Sequence, residues 1–272
     1  MRIHCLIDNT VRNSIYWGEH GLCMLIEHAG SRILYDTGGS GEVLEHNLDQ
    51  AGIQPGSIDA VVLSHNHRDH TGGLGWLLER HPAVPVYAHP AVLEEHFTRH
   101  GEGTLPKGLT FDLASLAERL ILHKGIQEVL PGIHASGEIQ PRPHPEGRSA
   151  YHMVRSGGGW IPDPYLDDQA LILKTGQGLV LVCGCCHAGL LNTLEWVEAH
   201  FGQAPETVVG GLHLKTADQH TMTALMVALE ARGIPELYPN HCTGEHALVK
   251  LMTAFPDHVH PFPAGSTLTF DA

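Results

Sequence analysis

The sequence predicts a single α/β domain with strands in the middle and helices outside, and three observations carry that expectation. Short β-branched and aliphatic runs alternate with helical stretches along nearly the whole chain. The 272 residues, 42% of them apolar, are enough for a large core without disulfide staples. No internal repeat and no linker-like composition divides the chain, so one domain over residues 1–272 is the economical reading.

The elements follow in order. Ile3–Asp8, Leu22–Glu27 and Ile33–Asp36 read as strands, the last two joined by a tight turn at Ala29-Gly30. Gly41–Ala51 is helical, with Val43, Leu44 and Leu48 on one face. Ile58–Leu63 is a buried strand, Leu74–Glu79 a helix, Val84–Ala88 a strand and Ala91–His100 a helix. Gly101–Phe111 is Gly-rich and irregular, and Leu120–His123, Glu128–Leu130 and Ile133–Ser136 are short strands. Residues 140–168, rich in Pro and Gly, have the composition of a lid or insertion. Strands Ala170–Lys174 and Leu179–Cys183 lead to a helix over Gly189–His200. Strand Thr207–Val209, helix Asp218–Ala231, strand Leu237–Tyr238, helix Glu245–Phe255 and strand Val259–Phe262 complete the chain.

Sixteen Lys and Arg stand against 30 Asp and Glu, a formal charge of −14. Such a surface repels a nucleic-acid backbone, which excludes sequence-independent DNA or RNA binding. No apolar run of membrane-spanning length is present, and Met1-Arg2-Ile3-His4-Cys5 reads as a first strand rather than a signal peptide. The six cysteines are too few and too crowded for a disulfide framework. A cytoplasmic protein of open oligomeric state is expected, with neither nucleic acid nor membrane as partner.

The informative number is 23 histidines. Four of them share one pattern, an aliphatic strand that runs through Gly or a polar residue into histidine: His65, His187, His213 and His241. Ligands of α/β sheets gather beyond the carboxyl ends of strands, and neutral imidazole is a preferred ligand of zinc, iron and manganese. In His65-Asn66-His67-Arg68-Asp69-His70-Thr71-Gly72-Gly73, an extended loop can present His65 and His67 to one ion. Asp69 and His70, on the turn into a helix, can face a second.

This HxHxDH pattern resembles the metallo-β-lactamase superfamily, and the resemblance extends over nearly the full chain. It implies an αββα sandwich with a metal site at one edge of the two sheets. Carried over by motif, His65, His67 and His187 hold one ion and Asp69, His70 and His241 the other, with a polar helix cap as the plainer reading of His187 and His241. Asp36, in Leu34-Tyr35-Asp36-Thr37-Gly38, orients the metal loop from behind. One departure stands out. The family places a bridging Asp on a strand end between the last two histidines, and here that region is Gly210-Gly211-Leu212-His213-Leu214-Lys215. His213 substitutes there as a ligand, or contacts the substrate in a catalytic role, or is a satisfied buried histidine, and the second ion is expected to be held more weakly.

Gly184-Cys185-Cys186-His187-Ala188-Gly189 and Asn240-His241-Cys242-Thr243-Gly244 resemble one branch of that superfamily, the 7,8-dihydropterin-6-ylmethyl-4-(β-D-ribofuranosyl)aminobenzene 5′-phosphate synthase-like proteins. That branch implies a small anionic substrate, such as a pterin or other ring phosphate, and one or two divalent ions, zinc first, with iron or manganese also possible. Asp69 would serve as ligand and orient water. His20 reaches the site from an early loop or is structural, Lys215 holds a phosphate or is solvated, and Trp160 stacks on a ring or packs a lid. Cys185, Cys186 and Cys242 read as small packing residues, with thiolate ligation the alternative. Hydrolase and transferase chemistry fit the same residues. An iron-dependent oxidoreductase and a non-catalytic metal-dependent binder are the other classes.

Overall fold

The computed structural model describes residues 1–101, 103–109 and 112–271. Its first sheet is built from β1 (Arg2–Ile7), β2 (Cys23–His28), β3 (Ser31–Tyr35), β4 (Ala60–Val62), β5 (Val86–Ala88), β8 (Leu120–Leu122) and β17 (Thr267–Thr269). The second comprises β9 (Gln127–Leu130), β10 (Ile133–Ala135), β13 (Ala170–Thr175), β14 (Gly178–Cys183), β15 (Pro205–Gly211) and β16 (Glu236–Asn240). Across the sheets the orders are β17-β1-β2-β3-β4-β5-β8 and β16-β15-β14-β13-β10-β9.

Alternation along each strand explains the layers. Ile3, Cys5, Ile33, Tyr35 and Val62 of the first sheet pack against Leu171, Leu173, Val180, Val182 and Val209 of the second. The intervening Leu6, Leu25, Leu34 and Val61 face the other way, under α1 (Gly41–Gln50) and α3 (Leu74–Arg80). On the far side Ile172, Leu181, Val208 and Leu237 lie beneath α4 (Leu190–Phe201), α5 (Gln219–Arg232) and α6 (Glu245–Ala254). The result is an αββα sandwich. Strands β3, β4, β5 and β8 run parallel, as do β14, β15 and β16. Parallel strands need helical crossovers, so their carboxyl ends collect the loops that carry Asp36, His65–His70, Cys185–His187, His213 and His241. A one-turn helix, α2 (Arg68–Thr71), starts inside the His65–His70 loop.

Four expectations are corrected. Ala91–His100 is not a helix: Pro90–Leu93 makes one 3₁₀ turn and β6 (His96–His100) is a strand. The Leu-Glu-Glu run favours a helix locally, but pairing of Phe97 and Thr98 with two neighbouring strands overrides that weak preference. Gly101–Phe111 is not wholly irregular, since it contains β7 (Gly103–Pro106), while Glu102, Thr110 and Phe111 lie outside the described residues. Residues 140–168 hold a hairpin, β11 (His152–Ser156) and β12 (Gly159–Pro162), which joins β6 and β7 in a small sheet ordered β12-β11-β6-β7. Val259–Phe262 is not a strand and makes only an isolated bridge, Val259 to Leu237. Strand β17, pairing with β1, was not anticipated.

Candidate metal centre

The loop after β4 is held tightly from behind. A Cβ at Gly72 would collide with the Gly39 carbonyl, and one at Gly184 with the Ser64 side chain. Only glycine lets β3, β4 and β14 deliver their ends to one point. The strain of that delivery shows in the backbone. Of the seven described non-glycine residues with positive φ, five are Asp36, Tyr165, Cys186, His213 and His241, all at this edge.

Buried hydrogen bonds then decide which ring nitrogens face inward. Ser64 Oγ donates to Asp36 Oδ2 at 2.6 Å, so His65 Nδ1, 2.9 Å from the same hydroxyl, must be the donor to it. His70 Nδ1 donates to Asp36 Oδ2 at 2.6 Å, His187 Nδ1 to the Gly147 carbonyl at 2.6 Å, and His241 Nδ1 to Asn9 Oδ1 at 2.9 Å. In its neutral form, the form that binds a metal, each ring therefore turns a bare Nε2 lone pair inward. His70 Nε2 lies 3.2 Å from His241 Nε2, His65 Nε2 lies 2.8 Å from His67 Nδ1, and His187 Nε2 is buried with no partner. His67 Nδ1–H can donate to His65 Nε2. That leaves the buried Nε2 atoms of His67 and His187 without a partner and the neutral His70 and His241 with facing lone pairs, a cost that a cation among them would remove. This donor set fits a bound metal.

The two halves differ in charge. Burial, followed by the neighbouring imidazoles, holds His65, His67 and His187 well below the ordinary imidazole range, which keeps them neutral. On the other side burial opposes ionisation of Asp69, but His70 and His241 overrule it and hold the carboxyl well below its usual range. Burial likewise opposes charge on His70, yet Asp36 and Asp69 raise it. Asp69 Oδ2 sits 3.3 Å from His241 Nε2 and 3.7 Å from His70 Nε2. The ligand atoms of His65, Cys185 and His187 all lie within 4.8 Å of one another, as do those of His70, Cys185 and His241.

His20, 70% exposed, reaches the solvent edge: its Nε2 is 3.4 Å from Asp69 Oδ2 and its ring stacks on His241. His213 packs beside His187 with ring centroids 4.3 Å apart, and burial lowers it to about 4. Lys215 lines a cleft with Asn9 and His241. Trp160 is not brought to the centre by any described contact. It packs edge-on against Phe97 under the Arg155 guanidinium, because the triple-glycine segment forms the tip of the β11–β12 hairpin. Arg155 pairs three residues beyond His152, roughly 10 Å along the strand.

Sequence reasoning passed over four residues here. His152 stands 4.9 Å from His67, ring to ring, and Tyr165 stacks on His187 at 4.0 Å. The Tyr165 hydroxyl accepts from the Ser149 N–H and donates to His152 Nδ1 at 2.6 Å, which leaves the proton of His152 on Nε2. His96 Nδ1 pairs with Asp163 Oδ2 at 2.8 Å behind His67. Lys107 follows β7, and its charge acts on His65, His67, Asp69, His70, His152 and His213. The histidine count was the only signal for His96 and His152, and Tyr165 and Lys107 had none, because the segments that carry them read as helix, loop and lid.

A sandwich with this loop at its edge defines a class, and the chain belongs to the metallo-beta-lactamase superfamily, whose profile matches residues 16–205. It is 33% identical, over 95% of its own length and 92% of the relative's, to the 7,8-dihydropterin-6-methyl-4-(beta-D-ribofuranosyl)-aminobenzene-5′-phosphate synthase of Methanocaldococcus jannaschii. A second, uncharacterised protein of that archaeon is 28% identical over 92% of this chain and 93% of its own. Among solved structures, a metal-dependent hydrolase of the beta-lactamase superfamily superposes with a TM-score of 0.84 at 27% identity, each chain covered completely. Zinc-bound PqqB from Methylobacterium extorquens shares the fold, with a TM-score of 0.60 at 13% identity over 99% of this chain and 100% of its own. No helix of the described residues is long and apolar enough to cross a membrane.

Proposed function

We propose that this protein is a metal-dependent hydrolase or transferase acting on a small phosphate- or diphosphate-bearing substrate, with the reaction of the similar archaeal synthase as the leading candidate. The convergence of bare Nε2 lone pairs from His65, His70, His187 and His241 carries the reading. In it His65, His67 and His187 hold one divalent ion and Asp69, His70 and His241 a second, zinc first among the metals. A bound ion supplies a Lewis acid for a phosphoryl or carbonyl oxygen.

The chain's own residues do the rest. Asp69, kept ionised by His70 and His241, serves as a ligand and orients water beside the other ligands. His213, neutral and next to His187, is the second catalytic group. His152 offers its Nε2–H to a substrate oxygen, since Tyr165 occupies its other nitrogen. Lys107 supplies positive charge at the centre and Lys215 at the neighbouring cleft, which an acidic protein needs to admit an anion. The 33% identity to the synthase supports a pterin or other ring phosphate as the substrate class.

Metal analysis of protein purified without added metal, combined with a panel of phosphodiesters, diphosphates and pterin phosphates, tests this reading. Turnover with zinc or manganese supports it. Iron with reversible colour and no hydrolysis turns it to an oxidoreductase, and metal without turnover turns it to a binding protein.

A further inference from the structure

The Cys185 side chain stands where the two proposed half-sites meet. Its Sγ lies 3.2 Å from His70 Nε2 and belongs to both ligand groups, the one with His65 and His187 and the one with His70 and His241. The residue is buried, and the empty Nε2 of His187, also buried, faces the same point. At the carboxyl end of β15, Gly210-Gly211-Leu212-His213 offers no carboxylate to join two ions. The end of β14, one strand over, brings Cys185 instead, at the tight approach Gly184 makes to Ser64. The other thiols near the centre belong to neither ligand group: Cys186 meets Thr193, and Cys242, which touches the Cys185 thiol from outside, meets the Cys185 carbonyl and the His213 N–H.

We propose that Cys185 is the shared ligand of a two-metal centre, its thiolate bridging the ion at His65, His67 and His187 and the ion at Asp69, His70 and His241. The inference rests on the metal reading above. When metal enters, the thiol gives its proton to solvent and its sulfur lone pairs bind the two ions, with no redox change. Softness of sulfur then favours zinc over magnesium or calcium at this centre.

Cobalt titration of the metal-free protein under a phosphine reductant tests it by absorption. Expected is a strong near-ultraviolet sulfur-to-cobalt band that grows through both equivalents, with proton release. Cys185→Ser should lose the band and most of the second equivalent, whereas Cys242→Ser should keep both. Cys185→Asp should regain the second equivalent without the band, so a poorly folded serine variant does not decide the matter. Two equivalents bound by the wild type with no sulfur band, or a band that survives in Cys185→Ser, overturns the bridge and leaves the metal centre standing. If the wild type binds no cobalt, both readings fall.

Discussion

The two halves of the centre share a geometry and differ in charge. Around His65, His67 and His187 the rings are neutral and are oriented by a serine and a backbone carbonyl. Around His70 and His241 there are two carboxylates, Asp69 in front and Asp36 behind, and Asp36 binds His70 directly. The Asp36 carboxylate reaches His65 only through the Ser64 hydroxyl. A carboxylate behind an imidazole raises its basicity as a ligand. The structure therefore argues that the half expected from sequence to be weaker is the better supported, and that the neutral half releases its ion first under mild chelation.

The largest effect should come from His67→Ala, which removes a ring of the neutral half. Affinity there should fall by more than ~100-fold, the upper range for losing an outer partner, while the apolar core and its far-ultraviolet spectrum persist. Metal analysis after dialysis measures it, and full retention of both ions would falsify the assignment of His67. Asp36→Asn should sharpen the contrast. The ion at His70 should weaken by ~10–100-fold and the one at His65 by less, because only the first feels the carboxylate directly. Competition with a coloured chelator reads the two steps, and equal losses would remove the asymmetry.

A third difference lies behind His67, where burial opposes charge on His96 but Asp163 and Asp167 raise it to about 9. Its folded value stands above the unfolded value of about 6.5, so the stabilisation is fully present below that pH and is lost as pH rises from there through about 9. Urea unfolding of the metal-free protein should show a loss of at most a few kcal/mol across that window. His96→Asn should flatten the profile, and an unchanged slope would show the pair to be uncharged. The smallest effects concern the anion. Lys107→Ala should weaken inorganic phosphate by ~5–10-fold and Lys215→Ala by less, because Lys215 is exposed. Calorimetry with metal content held constant checks both, and a larger loss at Lys215 would move the phosphate to the cleft beside His241.

The α/β alternation and the ligand loop were legible for a local reason. His65, His67, Asp69 and His70 fall within six consecutive residues after a buried strand, so their spacing alone sets their geometry. The continuous apolar runs of β13 and β14 and the helical faces of α1 and α4 are likewise properties of neighbouring residues. The small sheet was not legible. Its strand β6 carries a helix-favouring run just before it, and β11 and β12 sit in a segment whose Pro and Gly read as loop.

From the sequence by itself came the α/β class, the HxHxDH loop and the strand-end positions of His187 and His241, because each depends on short-range pattern, while the αββα arrangement came through the resemblance that this loop carries. Only the tertiary structure decided that Cys185 stands between the two histidine groups and that Trp160 points its contacts at Phe97 instead of the centre. It alone also brought His152, Tyr165 and Lys107 to the ligands. These placements depend on sheet register and on which hairpin covers which strand end. A one-residue shift in register turns a side chain to the opposite face, and that choice is made by the packing of segments far apart in the chain.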